Sequence, residues 1–397
     1  MLNALILAVA GACGAVLALP RVSRSSMWRA MMTPLASIIG SGFLILGPLL
    51  NALYGGWALL AMALLCLVAY LFGAAIRANI ADRNDGSPLA GAGKALDTAS
   101  SWALAFAYFI AVAYYLNLFG AFAVDLTPWN NEVSARIVTS AVFGVILAVG
   151  CTRGFSALER MEQVSVGIKL SIIAGLLAGL VWYFAVRASD GALHFNPVGV
   201  GPQDAILLGF GLIVTVQGFE TSRYLGAAYP AETRIRSMKL AQLVSTMIYL
   251  VYIGLISFVF HADSLEVDEA AIIDLMRVVA PILPGLLVAG ALAAQFSAAV
   301  ADTSGAGGLI VELTRRRVGP RIAYAVLVGM GLLLTWTSDV FEIISYASRA
   351  FALYYGLQSA VAAVSAWPQA GRRPEAVGYG LLALLGLAIA ALGMPVE

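Results

Sequence analysis

Residues 31–50, MMTPLASIIGSGFLILGPLL, form an apolar run with Gly40-Ser41-Gly42 at its centre. About 20 apolar residues suffice to cross a bilayer as a helix, so the run has the length of a span. Glycine costs roughly 1 kcal/mol relative to alanine inside a helix, so the sequence invites a break where a spanning helix should be strongest. Open backbone at membrane depth is tolerated only where protein buries it or where it lines a wet cavity. The run therefore reads as one half of a solute site.

The rest of the chain agrees with a membrane setting. Of its 397 residues 61% are hydrophobic and 11% charged, against about 25% charged in an average soluble domain. The formal net charge of +1 gives no sign of nucleic acid as a partner. Cys13, Cys66 and Cys151 lack metal-ligand spacing, and only His194 and His261 could supply imidazole, so neither a metal site, nor a cofactor, nor enzymatic catalysis is expected. Paired catalytic groups at one depth form no motif here.

Apolar runs at 2–19, 28–50, 55–76, 100–124, 133–149, 163–186, 204–229, 240–260, 282–311, 323–337, 340–367 and 377–392 predict twelve spans. With the N-terminus outside, alternate loops collect eighteen of the 23 basic residues, whereas the opposite loops hold only Arg136, Arg187 and Arg277. The pattern predicts an integral protein of the inner cell membrane with both termini outside. Residues 2–19 have their arginines after the apolar run, which favours a retained helix over a secretory signal.

The span at 204–229 is also interrupted, at Gln217-Gly218-Phe219-Glu220. Counting from the first broken span, five spans close near residue 186 and five more, at 203–367, begin again with a broken one. Five is odd, so the second set is inverted relative to the first. Glycine-interrupted segments at matching positions of inverted halves point to a transport site near the bilayer midplane. Close packing of small residues is the alternative use of such glycines.

IIGSGF at 38–43 resembles the first-helix signature of the amino acid, polyamine and organocation (APC) permeases, and QGFE at 217–220 resembles their sixth-helix motif. The following AYPAETRIRSMKLAQLVSTMIYL is similar to their loop into the next helix. ALAAQFSAAVADTSGAGGLIVELTRR, residues 291–316, and the extra first helix look more like the sodium/solute symporter family. Both resemblances imply an all-α polytopic membrane protein of the LeuT type. Its domains would be a 5+5 inverted repeat (28–186 and 203–367) with one extra helix at each end (2–19 and 377–392).

The resemblance further implies a secondary active transporter that moves a small zwitterionic solute, an amino acid in the first instance, by alternating access. Amides around Ser41, Gly42 and Phe43 would hold a carboxylate, and carbonyls before the break, at Ile39 and Gly40, and around Val216, Gln217 and Gly218 would accept from an ammonium. Phe219, with Tyr114, Tyr115 or Asn117, offers walls that could equally be plain packing. Glu220 is either a functional intramembrane carboxylate or the partner of Arg223 at the membrane edge.

Lys169 resembles the lysine that some proton-coupled permeases place where relatives bind sodium, at carbonyls of the first core helix (Ala36, Ile39) and at Ser297. Ala298 stands where a second hydroxyl would complete a sodium site. Asp302 lies one turn beyond Ala298 and is expected to approach Lys169, or else to ligate sodium itself. Lys169 snorkelling to the headgroups is the competing reading. The coupling ion is thus H+ before Na+. Alternatives are a sodium symporter of another small organic solute and a transporter-derived solute sensor. For Arg349, the sequence offers Glu342, Glu220 or a solute carboxylate as partners.

Overall fold

The computed structural model describes residues 1–40, 42–84, 91–152, 155–227, 229–261 and 271–394, and side chains among these except at 155–164, 226–227 and 271. Every regular element among the described residues is helical. Helix α1 is Leu2–Ala18, α2 Pro20–Ser23, α3 Ser26–Ile38, α4 Phe43–Tyr54 and α5 Ala58–Asn84. Then follow α6 (Ala92–Asp125), α7 (Glu132–Thr152), α8 (Phe155–Ser189) and α9 (Pro202–Gly211). The chain continues through α10 (Ala231–Ile256), α11 (Ala271–Val279), α12 (Leu283–Leu313), α13 (Pro320–Thr337), α14 (Val340–Ala366) and α15 (Arg373–Leu392). Among the described residues, eight helical stretches are long and apolar enough to cross a membrane.

The break in the first core span is real. Helix α3 ends at Ile38, the Gly40 amide turns back onto the Ser37 carbonyl (3.1 Å), and α4 restarts at Phe43. The second break is longer than the sequence pattern suggests. Helix α9 stops at Gly211, a 3-10 turn spans Ile213–Val216, Gln217 is extended, and a further 3-10 stretch covers Phe219–Ala227. The cause is tertiary: Ser348 of α14 donates to the Gly211 carbonyl (2.5 Å) and accepts from the Val214 amide (3.1 Å), so one hydroxyl satisfies both sides of the α9 terminus.

Around these breaks the long helices form the frame. Helix α12 packs on α6 and α8, α10 on α5 and α3, and α14 on α6 and α15. Helix α12 is one rod of 31 residues, about 46 Å at 1.5 Å per residue, and so extends beyond a hydrocarbon core of about 30 Å. The short α11, amphipathic and lying before α12, is an element that the hydropathy pattern alone does not reveal.

Candidate functional site

The two broken segments touch. A Cβ on Gly42 would stand 2.5 Å from Thr215 Cβ, one on Gly40 would stand 2.6 Å from Ala298 Cβ, and one on Gly218 would stand 2.5 Å from Ser37 Oγ. Gly218 also has φ +114°, a backbone region that side chains strain. Glycine is thus required by close approach of the two breaks to each other and to α12. Ser41 lies outside the described residues.

The backbone groups freed by the breaks have specific partners. The Tyr249 hydroxyl of α10 lies 2.8 Å from the Ile38 carbonyl and 2.8 Å from the Thr215 carbonyl, joining the two broken spans at one atom. Tyr252, one turn on, donates to the Leu44 carbonyl (3.0 Å). Neither tyrosine was a candidate from sequence; their i, i+3 spacing in MIYLVYIG is the signal that could have found them. Phe43 packs its ring on both, with centroids 4.3 Å from Tyr252 and 5.7 Å from Tyr249, so its side chain faces α10. Among the described residues no side chain caps the start of α4.

Ile39 at the first break and Val216, Gln217, Phe219 and Glu220 at the second are all buried. The Gln217 side-chain amide donates to Tyr115 Oη (2.5 Å), and Phe219 stacks on Tyr355 at 5.0 Å. Glu220 Oε2 accepts from the Gly218 amide (2.9 Å) and from the Tyr355 hydroxyl (2.8 Å). Gln217 Oε1 and Glu220 Oε1 are buried acceptors with no hydrogen-bond partner among the described residues. Of the other wall candidates, Asn117 turns away, donating to the Ala113 carbonyl (2.8 Å) and to Thr335 Oγ1 (2.9 Å) on α13.

Lys169 is 1% exposed and points inward. Its ammonium donates to the Ala36 carbonyl (2.6 Å) and to Ser297 Oγ (3.4 Å). Ala36 belongs to the last turn of α3, where unpaired carbonyls and the helix dipole favour a cation. Beside it, a cavity of about 20 Å³ is lined by Ile39, Gly40, Lys169 and Gln295, enough room for about one water. Asp302, fully buried one turn past Ala298, is within electrostatic reach of Tyr108 and Tyr115.

Glu220 does not pair with Arg223. Arg223, 6% exposed, binds Asp97 of α6 (2.5 Å), which also pairs with Arg83 at the end of α5 and accepts from Gln358 of α14 (3.3 Å). This network ties α5, α6 and α14 to the segment that follows the second break. Arg349 pairs with neither Glu342 nor Glu220: its Nε donates to the Ala390 carbonyl (2.8 Å) at the end of α15, while Glu342 forms a capping box with Asp339. A terminal carbonyl suits a guanidinium for the same reason that Ala36 suits Lys169.

Residues 20–393 match the family profile of APC superfamily transporters. The chain is 43% identical over 356 residues to an uncharacterized protein of Aquifex aeolicus (strain VF5), covering 86% of this chain and 85% of that one. Among solved structures it resembles Mhp1, a nucleobase-cation-symport-1 family transporter in a closed conformation with bromovinylhydantoin bound. That match has a TM-score of 0.54 at 14% identity, over 92% of this chain and 90% of the other.

Proposed function

Since this chain belongs to the APC superfamily of transporters and is a secondary transporter with the LeuT-type fold, we propose that it is a proton-coupled carrier of a small zwitterionic solute, an amino acid in the first instance. The observation that carries the coupling is the Lys169 ammonium on the Ala36 carbonyl and Ser297. In its protonated form Lys169 ties α8 to the last turn of α3 and to α12. Loss of the proton removes the charge from that bond, and a charge-assisted bond is roughly twice as strong as a neutral one. Protonation thereby controls whether the first broken span is held in this arrangement.

The solute's two ends have complementary partners. The N-terminus of α4 at Gly42 and Phe43 suits a carboxylate. The unpartnered Gln217 Oε1 and Glu220 Oε1 suit an ammonium, since buried acceptors in native proteins are almost always satisfied. In the conformation described, the breaks are in contact and Asp97 holds Arg223 and Arg83. A transport cycle then separates α3 and α4 from α12 and releases Arg223 and Arg83 from Asp97.

The test is uptake of a mixed labelled amino-acid pool into proteoliposomes, under an imposed pH gradient in one arm and a sodium gradient in the other. Uptake driven by the pH gradient and lost in Lys169→Ala supports the reading. Uptake that needs sodium replaces it with a sodium symporter using Ser297 and Asp302, and no uptake in either arm rejects amino acids as the solute.

A further inference from the structure

A groove of about 580 Å³ runs between α1, α3 and α8, outside the transport site. Its long wall is apolar and small: Ala10, Gly14 and Leu17 on α1, Met32 on α3, Gly167 and Ile172 on α8. Helix α1 stays close to α8 from Ile6, 3.0 Å from a Cβ on Gly175, to Gly14, whose Cβ would stand 3.0 Å from Ser171 Oγ, but a Cβ on Gly167 would meet nothing within 4 Å. The groove is open where the two helices part.

One end of this groove is basic. Ser23, Trp28 and Arg29 line it, and Arg21 and Arg24 sit on or beside the short α2 that turns the chain there. All three arginines are exposed, and none pairs with a carboxylate among the described residues. Half-buried Trp28 supplies an aromatic ring of the kind that settles at a membrane interface. An apolar slot within the span, ending in uncompensated positive charge at the headgroup level, is complementary to a molecule with a hydrocarbon chain and an anionic head.

We propose that this groove binds an anionic phospholipid from the leaflet on the basic face. One acyl chain lies against Gly14, Met32 and Gly167, and the phosphate is held by Arg29, Ser23 and Arg24. The bound chain would lie against the turn of α8 formed by residues 167–172, whose inward side presents Lys169 to Ala36. The site is independent of which solute the protein carries.

The test is native mass spectrometry of the full chain released from nanodiscs of phosphatidylglycerol and phosphatidylcholine in equal amounts. Wild type is expected to retain phosphatidylglycerol at least tenfold over phosphatidylcholine. The pair Arg24→Gln/Arg29→Gln should bring that preference down to near parity, since an attraction of about 1 kcal/mol per basic residue at an anionic surface is roughly fivefold each. Gly167→Leu, which fills the open part of the groove, should lower retention of both lipids. Equal retention of the two lipids by wild type overturns the proposal, as does a preference unmoved by the arginine pair or a total lipid retention unmoved by Gly167→Leu. A mass corresponding to two chains that Gly167→Leu returns to one would overturn it in favour of a second copy as the occupant. One variant removes headgroup charges and the other fills the slot, so either decides the matter should the other fail to fold.

Discussion

Lys169 Nζ lies 2.6 Å from the Ala36 carbonyl oxygen, so a charge carried by α8 closes the C-terminal end of the first broken helix. Removing it leaves a buried acceptor without that donor, at a cost of about 1–3 kcal/mol. Lys169→Ala is therefore expected to lower the thermal midpoint as well as to abolish accumulation driven by a pH gradient. A variant with wild-type stability and wild-type accumulation would remove Lys169 from the mechanism.

The Tyr249 hydroxyl serves two carbonyls, one from each broken span, whereas Tyr252 serves one. A hydroxyl has one proton, so the two carbonyls share it. Tyr249→Phe should destabilise by about 1–3 kcal/mol through the acceptors left buried, and should alter uptake because it uncouples the two breaks. Tyr252→Phe is expected to cost less on both readouts. Denaturant titration and initial uptake rates for the pair check the order, which a reversed ranking would refute.

Gly218 combines φ +114° with a virtual Cβ only 2.5 Å from Ser37 Oγ. Gly218→Ala and Gly42→Ala are expected to fail to give a stable, monodisperse protein. Gly329 in α13, where a Cβ meets nothing within 4 Å, is the control. Gly329→Ala should be neutral or stabilising by about 0.5–1 kcal/mol, the helix-interior difference between the two residues. Size-exclusion profiles and melting curves of the three variants make the comparison.

Asp97 holds Arg223, whose side chain is 6% exposed, and Arg83, while Gln358 of α14 steadies the carboxylate. Breaking a fully buried ion pair from one side costs about 3–5 kcal/mol. Asp97 is 21% exposed, so a smaller loss is expected for Asp97→Asn. The distinguishing readout is hydrogen exchange, which should quicken at the start of α6 and over Phe219–Ala227 if this pair ties the two segments together. Unchanged exchange in both segments would show that other contacts hold them.

The membrane class, the two breaks and the family were legible in the sequence, because each depends on local quantities. Run length against bilayer thickness, glycine at the centre of a span, and the IIGSGF and QGFE stretches all survive without knowledge of neighbours. The inward candidates Lys169, Ser297 and Glu220 could be named for the same reason, since charge and hydroxyl within an apolar run demand an explanation.

What each of those groups touches was decided only by tertiary structure. Nothing local distinguishes a Glu220 bonded to Arg223 from one bonded to Tyr355, which lies 135 positions along the chain. Ser348 lengthens the second break, Tyr249 ties both breaks together, Ala390 takes Arg349, and the parting of α1 from α8 opens a groove beside Arg29. A backbone carbonyl at a helix end is the same chemical group in every sequence. Which donor reaches it depends on how helices distant in the chain pack, and that is set by the sum of many weak contacts rather than by any one motif.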